Sequence, residues 1–365
     1  MSEWQTFCLK DLGKIVGGAT PPTNNPKNYG NKIAWITPKD LSTLQGRYIK
    51  KGSRSISRLG FKSCSTFLLP KHAILFSSRA PIGYVAIAEK RLCTNQGFKS
   101  IIPNKKIYFE FLYYLLKYHK DNISNIGGGT TFKEVSGATL GLFEVKIPPT
   151  YYEQQKIART LSILDQKIEN NHKINELLHT LAYKIYGYYF KYKPKNAKLE
   201  QIIIENPKSS IMVKNAQKTQ DKYPFFTSGD NILSYPKAII DGRNCFLNTG
   251  GNAGIKFYVG KASYSTDTWC ICANEFSDYL YLLLSSIKTH INQSFFQGTS
   301  LKHLQKNLLK KYPIYMPSAH EIKKFNQIIM PLLTLISINT RTSKKLEQIR
   351  DFLLPLLLKQ QVKPQ

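Results

Sequence analysis

The chain repeats itself, and this limits the fold more than any other feature, because two copies of one unit must fold as two similar bodies. Gly129-Thr130-Thr131-Phe132-Lys133 returns as Gly298-Thr299-Ser300-Leu301-Lys302. Ile147-Pro148 returns as Met316-Pro317, and Glu153 with Lys156 as Glu321 with Lys324. Upstream, Ile74-Leu75-Phe76-Ser77 and Gly83 parallel Cys245-Phe246-Leu247-Asn248 and Gly254, and Ile36-Thr37 with Asp40 parallels Phe226-Thr227 with Asp230. The sequence offset is larger at the upstream landmarks, so the first half holds extra residues between them.

Each copy follows one plan. Short apolar runs punctuated by Gly and Pro (Ala73–Phe76, Gly83–Ala88, Phe98–Ile102) predict strands. A shorter helix is expected over Phe109–Tyr118, with its counterpart over Asp278–Thr289. The Gly-Thr loop follows, then one more strand (Leu142–Ile147; Lys311–Met316), a proline break and a long helix. In the first long helix a 4–3 spacing runs through Ile157, Leu161, Leu164, Ile168, Asn171, Asn175 and Leu178. In the second it runs through Phe325, Ile329, Leu332, Ile336, Asn339 and Leu346. Both are heptad seams, and both place Asn at the same step, where a polar residue fixes register and partner. Asn171 and Asn339 are therefore expected to meet or to bracket a crossing point. Two independent amphipathic helices, each on its own core, are the bland alternative. Pro331 should kink the second helix and Pro355 bend or fray its end.

Intramolecular antiparallel pairing would place the two globules at opposite ends of a rod about 50 Å long. That exceeds the ~34 Å of one duplex turn and suits two readers in separate groove segments. Charge points the same way. Lys and Arg number 52 against 23 Asp and Glu, a formal +29. Residues 1–190 hold 27 basic and 12 acidic side chains and residues 191–365 hold 25 and 11, so two equally basic bodies are expected rather than a basic tail. Such an excess calls for a polyanion. An RNA-binding or tRNA-processing protein with a coiled-coil arm is the runner-up.

The sequence shows no obvious chemistry of its own. The six cysteines form no metal-ligand pairing, and Cys270 and Cys272 read as one buried and one half-buried strand residue. Neither zinc nor any other metal or cofactor is implied. No Gly-x-Gly-x-x-Gly follows a strand, and no adenine-methyltransferase Asn/Asp-Pro-Pro-aromatic sequence is present. Gly127-Gly128-Gly129-Thr130 could cradle a DNA phosphate or simply turn the chain. Asp165-Gln166-Lys167 fits the tail of a nuclease motif but is expected to be exposed helix-face charge. The amino terminus lacks the apolar segment of a signal peptide, and no apolar run approaches a membrane span; no membrane partner and a cytoplasmic location are expected.

Base reading needs forked donors and acceptors, and phosphate contact needs cations. The first-half candidates are Lys39, Ser77, Ser78, Arg79, Thr130, Thr131 and Lys133. Those of the second half are Thr227, Ser228, Asn231, Asn248, Thr299, Ser300 and Lys302. All lie at loop positions that recur between the halves.

These features resemble the specificity (S) subunits of type I restriction–modification systems, over essentially the whole chain. Trp4, Leu9, Leu12 and Gly18-Ala19-Thr20-Pro21 carry the likeness, with Trp35-Ile36-Thr37-Pro38-Lys39-Asp40-Leu41, Ile74 to Arg79, and Pro81-Ile82-Gly83. Thr94-Asn95-Gln96-Gly97-Phe98 and Glu153-Gln154-Gln155-Lys156-Ile157-Ala158 complete it. The second half is a weaker copy whose helix start lacks the Gln-Gln pair. The resemblance implies an α+β fold: two β-rich target-recognition domains (1–147 and 193–316), each followed by a long conserved spacer helix (148–192 and 317–365). The helices would form an antiparallel coiled coil with pseudo-two-fold symmetry. It further implies a non-catalytic subunit that reads a bipartite, asymmetric double-stranded DNA target. Methyltransferase (M) subunits, in two copies, would dock on it, with restriction (R) subunits joining through the complex.

Overall fold

The structure is a computed structural model describing residues 3–79, 81–129, 133–216 and 222–364. It divides into two compact units, Met1–Asn170 with Ser343–Gln365, and Asn171–Thr342.

In the first unit a five-stranded sheet runs in the order Gly13–Gly17, Lys99–Pro103, Ile74–Phe76, Val85–Ala88, Tyr48–Ile49. Its neighbours are antiparallel except the last pair. A three-stranded sheet follows the order Arg54–Ile56, Tyr29–Ile36, Cys93–Thr94, and Gln5–Cys8 pairs with Glu144–Ile147. Alternation along a strand sends side chains to opposite faces, and both faces are covered here. Ile74 and Phe76 join Ile87, Ile101 and the helix residues Phe111, Leu112 and Leu115 in one core. Leu75, between them, packs with Ala86, Ala88 and Phe98 in another.

The second unit repeats this layout. Its larger sheet runs Ile204–Glu205, Thr268–Cys272, Arg243–Asn248, Ile255–Val259, and its smaller one Leu233–Tyr235, Tyr223–Phe226, Ser263–Tyr264. Again one strand serves two cores: Cys245 and Leu247 pack with Trp269 and Ile271, while Phe246 packs with Phe226, Tyr264 and Cys270. Cys270 is buried and Cys272 half-buried, as expected. Gly129 and Gly298, equivalent in sequence, both have positive φ, 120° and 141°. At Gly298 a side-chain Cβ would lie 2.4 Å from the Leu301 carbonyl oxygen, so glycine is required.

Two differences from expectation stand out. The helix expected over Asp278–Thr289 is two helices, Ser277–Ser286 and Lys288–Ser294, whereas its first-half counterpart continues to Asn125. The extra residues of the first half add the edge strand Tyr48–Ile49 and a helical turn, Arg58–Lys62, so the second unit's larger sheet has one strand fewer.

The long helices are Tyr151–Phe190 and Ala319–Leu358, 40 residues each. They pack together antiparallel, as the coiled-coil reading requires. Within the first unit, Ile157, Ala158 and Leu161 from the start of one share a core with Leu354, Leu357 and Leu358 from the end of the other. Within the second unit, Phe325, Ile329 and Ile336 from the start of the second helix pack with Leu178, Ala182 and Ile185. The seam residues thus serve twice, against the opposing helix and against a globule; Ile168 is buried, while Leu164, Leu332 and Leu346 are half-buried. At the seam, Asn339 Nδ2 donates to Asn175 Oδ1 at 2.9 Å. Asn171 stands one seam position earlier on the same helix. Neither Pro331 nor Pro355 ends the second helix, because the burial of flanking Ile329, Leu333, Leu354 and Leu357 outweighs the lost backbone bonds. Among the described residues, no helix is long and apolar enough to cross a membrane, and no three His, Cys, Asp or Glu cluster as a metal site.

Candidate nucleic-acid interface

In each unit, four loops leave the strands at one end and are tied by an equivalent set of backbone hydrogen bonds. In the first unit Asn95 N donates to Ile36 O (2.9 Å), Ser78 N to Gly97 O (2.8 Å) and Val135 N to Ser78 O (3.0 Å). In the second, Ser265 N donates to Phe226 O (2.9 Å), Thr249 N to Asp267 O (3.3 Å) and Leu304 N to Thr249 O (3.0 Å). Isolated bridges Arg79–Glu134 and Gly250–His303 continue the match. Loops held by such a frame present their tips in fixed positions, as a reader of base edges requires.

The frame itself uses several of the residues singled out from sequence. Ser77 is fully buried; its hydroxyl donates to Pro81 O and accepts from Tyr84 N, both at 2.8 Å. Ser78 is also buried. Thr227 Oγ1 accepts from Gly229 N at 3.0 Å, and Ser228 Oγ accepts from Thr249 N at 3.1 Å while donating to Asp267 O. Asn248 is buried, donating to Asn252 O (3.1 Å) and accepting from Lys256 Nζ (3.2 Å). Burial depresses the Lys256 ammonium below its ordinary pKa, and the same ammonium donates to Thr227 O at 2.8 Å. These side chains shape the loops rather than cover them.

The solvent-facing members are Lys39, Lys133, Asn231, Thr299, Ser300 and Lys302. Arg79 is partly exposed, with Glu134 at 3.6 Å, and Glu134 also meets Lys99 at 3.3 Å. Thr130 and Thr131 lie outside the described residues. Sequence reasoning passed over Gln96, whose side chain meets the Thr20 hydroxyl across 76 residues, and Thr249, which ties the second frame. Thr249 follows Asn248 as Ser78 follows Ser77, a signal visible in the repeat; the Thr20–Gln96 contact has none.

Behind the loops, each globule grips a long helix. In the first unit Glu169 accepts from Arg47 N at 2.8 Å, and the Arg47 guanidinium reaches Glu110 (2.9 Å) and Glu169 (3.2 Å). Asp165 is buried, not exposed as expected, and accepts from Tyr114 OH and from Arg350 (2.6 Å) of the second helix. Burial opposes the charge on Arg47 and Arg350, yet the acidic groups around them hold both above the ordinary arginine pKa. Burial likewise raises the Tyr114 phenol. Gln154, the first of the Gln-Gln pair, accepts from Tyr108 N (2.8 Å) and donates to Lys106 O (3.0 Å). In the second unit Arg243 pairs with buried Asp278 and donates to Thr334 Oγ1 at 2.9 Å. There Ser337 Oγ accepts from Val259 N at 3.0 Å.

Comparison with known proteins places this geometry. The family model described as the type I restriction modification DNA specificity domain matches residues 1–180 and again 195–348. The type I restriction enzyme MjaIX specificity subunit of Methanocaldococcus jannaschii is 32% identical, over 98% of this chain and 93% of its own length. The type I restriction enzyme HindI specificity subunit of Haemophilus influenzae is 30% identical over 46% of this chain and 37% of its own. The crystal structure of the S subunit of a type I restriction-modification system from M. genitalium superposes with a TM-score of 0.64. It has 18% identity and covers 97% of this chain and 96% of that one, a likeness of fold.

Proposed function

The chain belongs to the type I restriction modification DNA specificity family, and from that premise we propose that it reads two different DNA half-sites, one with each loop frame, leaving an unread spacer between them. The observation that carries this reading is the recurrence of one four-loop frame in two halves whose exposed residues differ. Identical frames give the same approach to a groove; different tips give different base preferences. In this reading residues 1–147 and 193–316 are the target-recognition domains. Lys39, Arg79 and Lys133 contact the first half-site, with Thr130 and Thr131 beside them in sequence. Asn231, Thr299, Ser300 and Lys302 contact the second. Gly127 to Gly129 turn the chain beside a phosphate.

The chain itself performs no covalent step in this account. It works in the cytoplasm as the addressing component of a larger enzyme. Methyltransferase subunits dock on the long helices, where Ile174, Leu177, Leu181 and Tyr188 form an exposed apolar stripe at heptad-like spacing. Two copies bind, one per half, and restriction subunits join through them. Selection of bound duplexes from a random pool, with the methyltransferase subunits present and at fixed moderate salt, tests the reading. Two short base clusters at constant separation are expected. One contiguous motif, or stronger competition by structured RNA than by mixed duplex, would overturn it.

A further inference from the structure

The first half's extra residues carry an unusual charge distribution. Between Asp40 and Glu89 the chain has no acidic residue and eight Lys and Arg. Lys50, Lys51, Arg54, Arg58 and Lys62 are exposed, and none takes part in an ion pair among the described residues. The corresponding strands of the second half lack such a cluster. From Asp230 to Val259 its cations are Lys237, Arg243 and Lys256; Arg243 is paired with Asp278, Lys256 is turned inward, and Asp241 offsets the third.

The segment is also built, not loose. Arg47 anchors one end in the buried cluster, and Tyr48–Ile49 is hydrogen-bonded beside Ile87–Ala88. Ser53 N donates to Asp40 Oδ1 at 2.7 Å, while Asp40 Oδ2 accepts from Thr37 N and Oγ1, both at 2.8 Å. Beyond the turn, Arg54 and Ser55 pair with Trp35 and Ala34, and the Arg54 guanidinium lies 4.5 Å over the Tyr29 ring. Ser57 then closes on Lys27 O at 2.6 Å. The Asp40 staple places the Lys50–Arg54 turn next to Lys39, on the same end as the loop frame; the ring of Pro38 there abuts Gly97. Cations on a braced turn lose little conformational entropy on meeting a polyanion.

We propose that this segment is a DNA-backbone clamp, in which Lys50, Lys51 and Arg58 hold phosphates flanking the half-site read by the first loop frame. It adds affinity and salt dependence without adding base preference. The proposal rests on the DNA-reading function above.

The test measures duplex affinity against salt concentration for the complex containing the full chain and its methyltransferase subunits. Three variants are compared: the parent, K50Q/K51Q/R58Q, and the charge-preserving K50R/K51R/R58K. Each phosphate contact contributes about 0.9 to the slope of log K against log salt, so the Gln variant should have a slope shallower by about 2–3. Its selected sequence should be unchanged, and the charge-preserving variant should keep the parental slope. An unchanged slope in the Gln variant, with the parent binding DNA normally, overturns the clamp and leaves the general reading intact. So does a changed base preference, which would make these residues readers. Failure of the parent complex to bind duplex at all would instead remove the general reading, and the clamp with it.

Discussion

The two halves fasten the same helix to the same kind of globule by different chemistry. At equivalent steps of the long helices, the first half has Gln154, Asp165 and Glu169 where the second has Ile322, Leu333 and Ser337. Gln154 and Asp165 are 1% and 4% exposed and fully engaged in polar contacts; Ile322 and Leu333, 3% and 1% exposed, sit in hydrocarbon. A buried ion cluster offers directionality at the cost of desolvating every charge, whereas an apolar joint has no such cost and tolerates small shifts. The first joint is therefore a specific lock that needs all its partners, and the second is a packed seat. The edge strand explains why the lock exists: Arg47 lies in the first half's extra segment and couples it to Glu110 and Glu169.

Exchanging the two solutions should be the most damaging change. Leu333→Asp places a carboxylate among the apolar side chains of the second core, with Arg243 already committed to Asp278, and should cost the second unit about 4 kcal/mol. Asp165→Leu should cost the first unit about 3 kcal/mol, less because Arg350 keeps Asp351 and Arg47 keeps Glu110 and Glu169. Hydrogen-exchange protection read separately in each unit checks both; loss of protection in the unmutated unit alone would break the comparison.

A smaller effect is expected at the Arg243–Asp278 pair of the second unit. Burial raises the Asp278 carboxyl above its ordinary value of 3.8 despite Arg243, so its ionised form weighs against the folded state. Arg243→Ala should cost about 2 kcal/mol at neutral pH. That deficit should shrink as the pH falls through the raised pKa and the carboxyl takes a proton, in denaturation midpoints measured across pH. A deficit constant with pH would mean that Arg243 acts through packing alone.

The smallest difference lies at the helix starts. Ser318 N, with the Ser318 and Tyr315 hydroxyls, holds Glu321 down at about 2. Its folded pKa is below its ordinary 4.5, so the stability it contributes is present above pH 4.5 and is lost as pH falls toward 2. Glu321→Gln should flatten that part of the stability–pH curve slightly. At the start of the first long helix Glu153 bonds Thr150.

The duplication, several of the strands and the antiparallel seam were legible because periodicity and repetition report burial directly, whereas the order of strands within each sheet was not. Asp165 was misjudged because helical spacing places a residue on a face but does not say what covers it. Its partners Arg350 and Tyr114 lie 185 and 51 residues away. Asn339 found Asn175 because antiparallel register depends on where both globules seat the helices, which no local pattern encodes. At the loop frames, the repeat marked the segments that the backbone bonds tie together but could not separate exposed tips such as Lys133 from the buried hydroxyls of Ser77 and Thr227. Short polar residues at strand ends do either job, and only the packing decides.

The division of labour between halves can be measured in one comparison of selected DNA sequences. One variant carries Lys39→Ala, Arg79→Ala and Lys133→Ala; the other carries Asn231→Ala, Ser300→Ala and Lys302→Ala; each is assembled with the methyltransferase subunits. The account predicts that each variant relaxes base preference or weakens binding at one cluster only, and that the two affect opposite clusters. Both variants altering the same cluster, or either altering both, would contradict it.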